Sequence, residues 1–298
     1  MTQKWSEARK PFAVIFGPPA LWLLVFFLVP LAIVWAYSFG RPLGLTETAI
    51  TGTLQNYVRA FDAVYLGIFL KSIWFAALTT LLCLLAGFPI AIVLTFASAR
   101  GRTLLLLAIM LPFWTNLLIR TYALMVILRT EGYMNTVIGW IGDGLASIRL
   151  APAGGIGPLP LLHNNFAVTL GLVYVSLPFM VLPLYAALDR LDRSLLEASL
   201  DLGAGHLRTI REIVIPLAIP GILTGMLITF IPTLGSYLTP DLLGGPDSQM
   251  IANVIARQFK QANDWPFGAA LSFILLYLTF FAIAVQSVVA RRRERNVS

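Results

Sequence analysis

One charged stretch of this chain, from Asp189 to Glu212, lies between two strongly apolar segments and has the residue pattern of a docking site. A carboxylate and two small residues precede a glycine there, and an apolar residue and a proline follow. These residues are Glu197, Ala198, Ser199, Gly203, Ile213 and Pro216. Small residues at a bend let the surface of another protein approach closely. We therefore predict that this stretch binds a soluble partner; the alternative is an ordinary capped loop.

A second residue of interest is Arg120, which is the only formal charge in the middle of a predicted membrane span. Asn116 lies four residues earlier and so shares a face of the same predicted helix. Charged side chains inside a membrane are expensive and usually functional, which favours a gate or a contact along a transport path. The alternative is an arginine that reaches outward to the interface or bonds a neighbouring carbonyl.

The elements that must position these residues are membrane helices. The chain has 298 residues, of which 58% are hydrophobic and only 12% are charged, whereas soluble domains average about 25% charged residues. Apolar runs near 20 residues recur along the sequence and predict an all-α polytopic membrane protein of about six helices. The predicted spans are Val14–Tyr37, Leu66–Ala97, Thr103–Leu128, Phe166–Leu188, Ile213–Ile231 and Phe267–Ala290.

The distribution of basic residues predicts the orientation of the spans. Thirteen of the 21 Arg and Lys residues fall on one side of the predicted topology, in the two tails, in the turn at residues 99–102 and in the charged stretch. The positive-inside rule then places both termini in the cytoplasm. The net charge of +7 is thus a topology signal and does not indicate nucleic-acid binding. We interpret the first span as an uncleaved helix, with a signal peptide as the alternative.

The charged stretch itself is predicted to form a helix–turn–helix. Ser194 and Glu197 have the spacing of a capping box, and Gly203 is a natural helix stop because it accepts a left-handed conformation. A second short helix is expected to run from about His206 into the fifth span. The chain shows no cluster of metal-ligand residues, since its two histidines fall on opposite sides of the membrane, and we predict no bound cofactor.

The charged stretch resembles the "EAA" loop of the type I permeases of ABC importers. That loop reads Glu-Ala-Ala, three residues, Gly, nine residues and Ile-x-Leu-Pro; here Ser199 replaces the second Ala and Ile215 the Leu. Further segments resemble the spermidine/putrescine permease subfamily, over nearly the whole chain. These segments are 111–122, 173–179, 241–246 and 264–267.

The resemblance implies a set of partners in the bacterial inner (plasma) membrane. They are a second permease subunit that completes a heterodimer, two cytoplasmic ATPases that hold ATP and Mg²⁺, and an external substrate-binding protein. This chain lacks a Gly-x4-Gly-Lys-Ser/Thr phosphate loop, so it is expected to be a translocation subunit and not the enzyme. We expect it to contact membrane lipid and no nucleic acid.

The resemblance also implies a polyamine substrate that crosses by alternating access. Candidate pathway or gate residues are Trp114, Asn116, Arg120, Tyr122, Tyr174, Tyr237, Asp241 and Asp247. Aromatic faces attract ammonium groups, and acidic residues at the outer mouth raise the local cation concentration. Aromatics also crowd membrane interfaces in any case, and such acids are often merely solvated or cap a short helix.

Two alternatives remain at the level of sequence: the same class of importer for another small solute, or a self-contained ion-coupled carrier. The carrier is disfavoured because no Asp, Glu or His lies in the middle of a predicted span. The domain organisation that we predict has three parts. They are a tail, first helix and external segment at 1–65; a transmembrane domain at 66–290 with a coupling loop at 189–212; and a basic cytoplasmic tail at 291–298.

Overall fold

The computed structural model describes residues 9–44, 47–147 and 158–297. The helices in chain order are α1 (Arg9–Leu23), α2 (Val29–Ser38), α3 (Gln55–Ala60), α4 (Ala63–Phe96), α5 (Ala99–Trp114), α6 (Leu117–Leu128), α7 (Tyr133–Ser147), α8 (Asn165–Leu188), α9 (Arg193–Asp201), α10 (His206–Thr209), α11 (Ile215–Leu234), α12 (Leu238–Leu243), α13 (Ile251–Lys260) and α14 (Trp265–Val297). A π-helical turn joins α1 to α2 at Leu24–Leu28, another joins α10 to α11 at Ile210–Val214, and a 3₁₀ turn lies at Pro246–Ser248.

Five continuous helical segments are long and apolar enough to cross a membrane. They are Val14–Ser38, Ala63–Phe96, Asn165–Leu188, His206–Leu234 and Trp265–Ser287. Each overlaps one of the predicted spans, and the largest shift is at the fifth span, which begins at His206 instead of Ile213. The prediction of an all-α polytopic membrane fold is confirmed. The predicted tail before residue 9 and the final residue, Ser298, lie outside the described residues.

The third predicted span is wrong as a single helix. The segment folds as Ala99–Trp114 followed by Leu117–Gly142, and the two parts meet at 97°. Thr115 and Asn116 both have extended ψ angles, of 149° and 136°, so the helix cannot continue through them. Asn116 then caps the next helix, because its side-chain oxygen accepts a hydrogen bond from the backbone N–H of Leu118 at 2.8 Å. Hydrophobicity alone does not reveal such a bend.

The described chain divides into two compact units, one formed by Met1–Leu66 and Val254–Tyr277 and the other by Gly67–Asn253 and Leu278–Ser298. The first unit contains a small antiparallel hairpin, with strand β1 at Gly40–Pro42 and strand β2 at Thr48–Ile50. Gly40 pairs with Ile50 and Pro42 with Thr48. The three-part organisation at 1–65, 66–290 and 291–298 stays a prediction.

Polar contacts tie the hairpin to the helix that follows it. Asn56 is buried and donates to the carbonyls of Ser38 at 3.0 Å and Gly40 at 2.9 Å. The hydroxyls of Ser38 and Tyr57 lie 2.8 Å apart, and burial raises the pKa of Tyr57. The two bonds of Asn56 satisfy backbone carbonyls at the end of the first span, where the backbone leaves the helix and enters β1.

An ion pair joins distant parts of the first unit. Arg59 bonds Asp264 at 2.7 Å, and its guanidinium lies 4.0 Å from the ring centroid of Phe267. Burial lowers the pKa of Arg59, but its hydrogen bonds with Asp264 and Tyr65 outweigh this effect and raise the pKa overall. Asp264 also accepts from the N–H of Phe267 at 3.3 Å. This acid is therefore paired and caps α14, so it does not act as a free charge at the outer mouth.

The core of the second unit is the close contact of α8 with α11. Gly221 and Gly225 are four residues apart on α11 and face α8. A Cβ added at Gly221 would collide with Ala187 and with the carbonyl of Pro183, and one at Gly225 would come within 2.8 Å of the Met180 sulfur. Two small residues spaced by four allow helix backbones to touch in a membrane, where van der Waals contact replaces the hydrophobic effect. The sequence contains this signal, and our prediction missed it.

Candidate functional site

The charged loop folds as a helix–turn–helix, as predicted, but its cap differs from the predicted one. Helix α9 begins at Arg193, and the N-cap is Asp192, whose carboxylate accepts from the N–H of Ser194 at 3.0 Å. This hydrogen bond lowers the pKa of Asp192. The predicted capping box of Ser194 with Glu197 is therefore wrong. An aspartate two residues earlier is an equally good cap and starts the helix sooner.

Helix α9 is stopped by Gly203, which follows its C-cap residue Leu202, in the way that the sequence predicts. Gly203 has a φ of +80°. Its N–H donates to the carbonyl of Leu200 at 2.9 Å, and the N–H of Ala204 donates to the carbonyl of Ser199 at 3.1 Å. These two bonds form a Schellman motif, which satisfies the last carbonyls of the helix. The chain then reverses and enters α10 at His206.

The two arms of the helix–turn–helix are joined by a buried pair of hydroxyls. Ser199 on α9 and Thr209 on α10 are buried, and their side-chain oxygens lie 2.9 Å apart. Thr209 has a further carbonyl acceptor at Gly205, 3.4 Å away. Ser199, which departs from the resembled Glu-Ala-Ala pattern, thus has a specific partner. Sequence reasoning missed this partner because ten residues and a turn separate the two hydroxyls.

The residues of the predicted docking pattern lie on different faces of the loop. Glu197, Ala198 and Gly203 are exposed, Ser199 is buried, Ile213 is half-buried in the π turn and Pro216 is exposed at the start of α11. Leu196 packs against the core beside Val214. Leu202 and Leu207 at the bend are 89% and 84% exposed. The bend thus presents two leucines and a glycine to the outside.

A groove of about 540 Å³ opens beneath the loop. Its polar lining residues are Glu197, His206 and Thr209, and the rest of the lining is apolar: Ile92, Phe96, Leu196, Leu200, Ile210 and Val214. Nearby, Arg102 in the first turn of α5 lies 3.4 Å from Asp189 at the end of α8. The loop and the start of α5 therefore lie at the same end of the bundle, as the predicted topology requires.

Arg120 is bonded to backbone carbonyls, which is the second of its two predicted readings. Its side chain is 7% exposed. Its guanidinium donates to the carbonyl of Phe113 at 3.2 Å and to that of Thr115 at 3.0 Å. Asn116 does not share a helical face with it, since Asn116 caps α6 at the break. The predicted face of Asn116 and Arg120 on one straight helix is therefore wrong.

The candidate pathway residues are only partly brought together. Tyr174 is 39% exposed, and its ring centroid lies 5.9 Å from the guanidinium of Arg120. Trp114 is 80% exposed at the end of α5, and Tyr122 is 47% exposed on α6. These exposed rings are placed to meet lipid, a partner or solute.

The acids and the tyrosine of the predicted outer mouth lie in α12 or close to its ends. Tyr237 precedes α12 and is half-buried, while Asp241 and Asp247 are exposed. The side chain of Asn253 donates to the carbonyl of Tyr237 at 3.0 Å and to Asp241 at 3.4 Å. No group of three or more potential metal ligands occurs among the residues described.

A bundle of apolar spans with an exposed, charged helix–turn–helix before the penultimate span defines a permease of the ABC importer class. The chain belongs to the family described as "Binding-protein-dependent transport system inner membrane component", which matches residues 63–295. Members of this class are transport components and not enzymes, so the expectation that this chain is no enzyme is confirmed by its family.

Among curated proteins, the chain is similar to the spermidine/putrescine transport system permease protein PotB of Escherichia coli (strain K12). The two are 41% identical over 276 residues, which cover 93% of this chain and 96% of that protein. The PotB protein of Haemophilus influenzae is 38% identical and matches 92% of this chain and 90% of its own length. The predicted resemblance to this permease subfamily is confirmed.

Among solved structures, the fold matches a chain of a bacterial ABC transporter involved in the import of the acidic polysaccharide alginate. The TM-score is 0.71, with 97% of this chain and 99% of that chain covered. At 15% sequence identity the match establishes the fold alone. The type I permease fold that the sequence predicts is thereby confirmed.

Proposed function

We propose that this chain is a translocation subunit that moves polyamines, spermidine or putrescine, across the bacterial inner membrane at the expense of ATP hydrolysed by partner subunits. The observation that carries the proposal is the 41% identity to a spermidine/putrescine permease over 93% of this chain and 96% of that protein. A likeness that spans nearly the whole chain includes the path through the membrane as well as the docking loop.

Helix α9 and the Gly203 bend are the proposed docking surface for a cytoplasmic ATPase. The exposed leucines at the bend and the exposed Glu197 supply apolar and polar contacts. The Ser199–Thr209 bond joins α9 to α10, which continues through the π turn into α11. Leu196 packs against the core cluster that contains Val214 and Ala218. A push on the loop is therefore transmitted to the fifth span. The spans then alternate between inward- and outward-open states, which ATP and the bound solute bias.

The remaining partners follow from the same class of importer. A second permease subunit completes the translocation pathway, two ATPases hold ATP and Mg²⁺, and an external binding protein delivers the solute. Both termini lie in the cytoplasm in this arrangement, as the excess of Arg and Lys on that side favours. The Arg102–Asp189 ion pair is consistent with it, since both residues lie at helix ends assigned to the cytoplasmic side.

The charge of Arg120 is compatible with a polycationic solute because the guanidinium is committed elsewhere. It is buried and bonds two carbonyls, so it does not present a free positive charge to the path. Exposed rings such as Tyr122 and Tyr174 provide weak cation–π contacts of about 0.5–2 kcal/mol each. Contacts of this size suit a path, since a solute held more tightly would not leave.

The proposal is tested by transport in reconstituted liposomes. The permease pair, its ATPases and its binding protein are assembled, and uptake of putrescine, spermidine, an amino acid and ferric ion is compared with and without ATP inside the liposomes. We expect ATP-dependent uptake of a polyamine only. A complex that moves the amino acid or ferric ion instead refutes the substrate, and uptake by this chain alone, driven by an ion gradient, refutes the class.

A further inference from the structure

The break in the third span leaves a concentration of negative partial charge inside the membrane-spanning part of the chain. Helix α5 stops at Trp114, and the next helix departs at 97°. The last carbonyls of a helix have no partners within it and carry the negative end of its dipole. In lipid, such groups must be satisfied internally. Something at the break must therefore supply hydrogen-bond donors or positive charge.

Arg120 supplies both from the first turn of the following helix. One guanidinium nitrogen donates to the carbonyl of Phe113 at 3.2 Å and to that of Thr115 at 3.0 Å. The guanidinium carbon also lies 6.0 Å from the ring centroid of Phe113 and 5.9 Å from that of Tyr174. A residue of α6 thus binds the end of α5, and the ring of Tyr174 on α8 stands beside the charge.

Arg120 takes no part in the ion pairs that Arg59, Arg102 and Arg208 form within the described part of the chain. Its Nε is buried and has no hydrogen-bond acceptor. A buried positive charge without a carboxylate is costly unless carbonyl dipoles offset it. The offset here comes from the carbonyls at the break, so the charge and the bend stabilise each other.

We propose that Arg120 acts as a tethered cation, which holds the two halves of the third span at their fixed angle and so positions the exposed rings beside the break for transport. Broken helices in ion-coupled carriers hold a free Na⁺ or H⁺ against unwound carbonyls. In this chain a guanidinium on a side chain occupies the equivalent place. The bend is then stabilised without a cation bound from the surrounding solution. This inference does not depend on which solute is moved.

Chemical rescue separates a tethered cation from a side chain that merely fills space. Arg120→Ala removes the charge and leaves the carbonyls of Phe113 and Thr115 beside an empty volume, so we expect uptake to fall by about ten- to hundredfold from the loss of two charge-assisted hydrogen bonds. Millimolar guanidinium ion should restore part of this uptake. Urea has the same planar shape and no charge, and it should not restore it. Arg129→Ala, at the exposed far end of α6, is the matched control and should behave as wild type in both solutions.

Two further measurements keep the test decisive if Arg120→Ala assembles poorly. The purified variant chain should gain thermal stability in millimolar guanidinium, whereas the wild-type chain should not. Arg120→Lys keeps a cation and should retain more uptake than Arg120→Gln, which keeps a donor and loses the charge. Equal uptake in the Lys and Gln variants, equal rescue by urea and guanidinium, or wild-type uptake in Arg120→Ala would each overturn the proposal.

Discussion

Substitution of Gly203 tests whether the loop bends to receive a partner. Gly203 has a φ of +80°, a conformation that costs other L-residues about 1–2 kcal/mol. A Cβ added there meets no atom of this chain within 4 Å. The cost of alanine at this position is therefore mainly the backbone cost, since its Cβ meets no neighbour. Bulk beyond the Cβ is an added obstacle to a molecule that docks at the exposed bend.

This separation gives a ranking of three variants. Gly203→Ala carries the backbone cost alone. This cost reduces the population of the native bend by about five- to thirtyfold relative to other conformations of the loop. Gly203→Asn should cost less, because asparagine tolerates the left-handed region better than alanine. Gly203→Trp carries the same backbone cost as alanine and adds bulk at the proposed docking surface. If a partner docks at this bend, the Trp variant should lose far more uptake than the Ala variant, and the Asn variant should lose the least.

The assay is the amount of solute moved per ATP hydrolysed in the reconstituted complex, with the amount of chain in the membrane as the control. We expect Gly203→Trp to lose uptake while insertion is unchanged and basal ATP hydrolysis continues. Normal uptake in Gly203→Trp refutes the docking role, as does a loss of insertion alone. Equal losses in the Ala and Trp variants would mean that only the backbone conformation matters.

Three further predictions concern the loop, the outer mouth and the topology. Ser199→Ala and Thr209→Val should each lower the free energy of unfolding by about 0.5–1.5 kcal/mol, and the double variant should lose no more than Thr209→Val alone, which also removes the bond to Gly205; additive losses would contradict the bond between the hydroxyls. Asp241→Asn should slow polyamine uptake more at low than at high ionic strength, because salt screens an exposed charge. A loss that does not depend on salt would contradict the idea that this charge attracts the polyamine to the outer mouth. A cysteine at Ser194 or Ser298, in a chain with Cys83 replaced by alanine, should resist an impermeant thiol reagent added outside intact cells, and ready labelling would reverse the assigned orientation.

The sequence was sufficient for the membrane class and for most of the spans because their signal is composition over about 20 residues. The fifth span shows the limit of that signal. The apolar run begins near Ile213, yet the helix begins at His206, because α10 and the π turn continue the helix through charged residues. Helix capping at Gly205 sets that boundary, and hydropathy does not report it.

The bend of the third span was missed for a different physical reason. Thr115 and Asn116 are polar but short, so a hydropathy window passes over them. The signal that was available is local: a proline at 112 followed by Asn116, which is a favoured N-cap before an apolar run. The role of Arg120 follows from the bend. On one straight helix its side chain would not reach the carbonyl of Thr115, which it bonds at 3.0 Å.

The docking loop was predicted in outline and not in its contacts. The Gly203 stop follows from the sequence because glycine is the residue that adopts the left-handed conformation at the least cost. The Ser199–Thr209 bond and the ion pair of Arg59 with Asp264 required the fold, because each joins elements whose relative placement depends on distant packing. The close contact at Gly221 and Gly225 had a recognisable spacing in the sequence. This spacing does not indicate which helix packs against the two glycines, so the contact with α8 could not be predicted from it.

The π turn at Ile210–Val214 sets the phase of the helix that passes through it. In an uninterrupted α-helix Thr209 and Val214 would point about 140° apart, since each residue advances the helix by about 100°. One extra residue in the turn reduces that separation to about 40°. Both side chains therefore line the same groove beneath the loop, and both are buried. Deletion of a single residue from the turn would rotate everything beyond it, so the loop and the membrane core would no longer share one face.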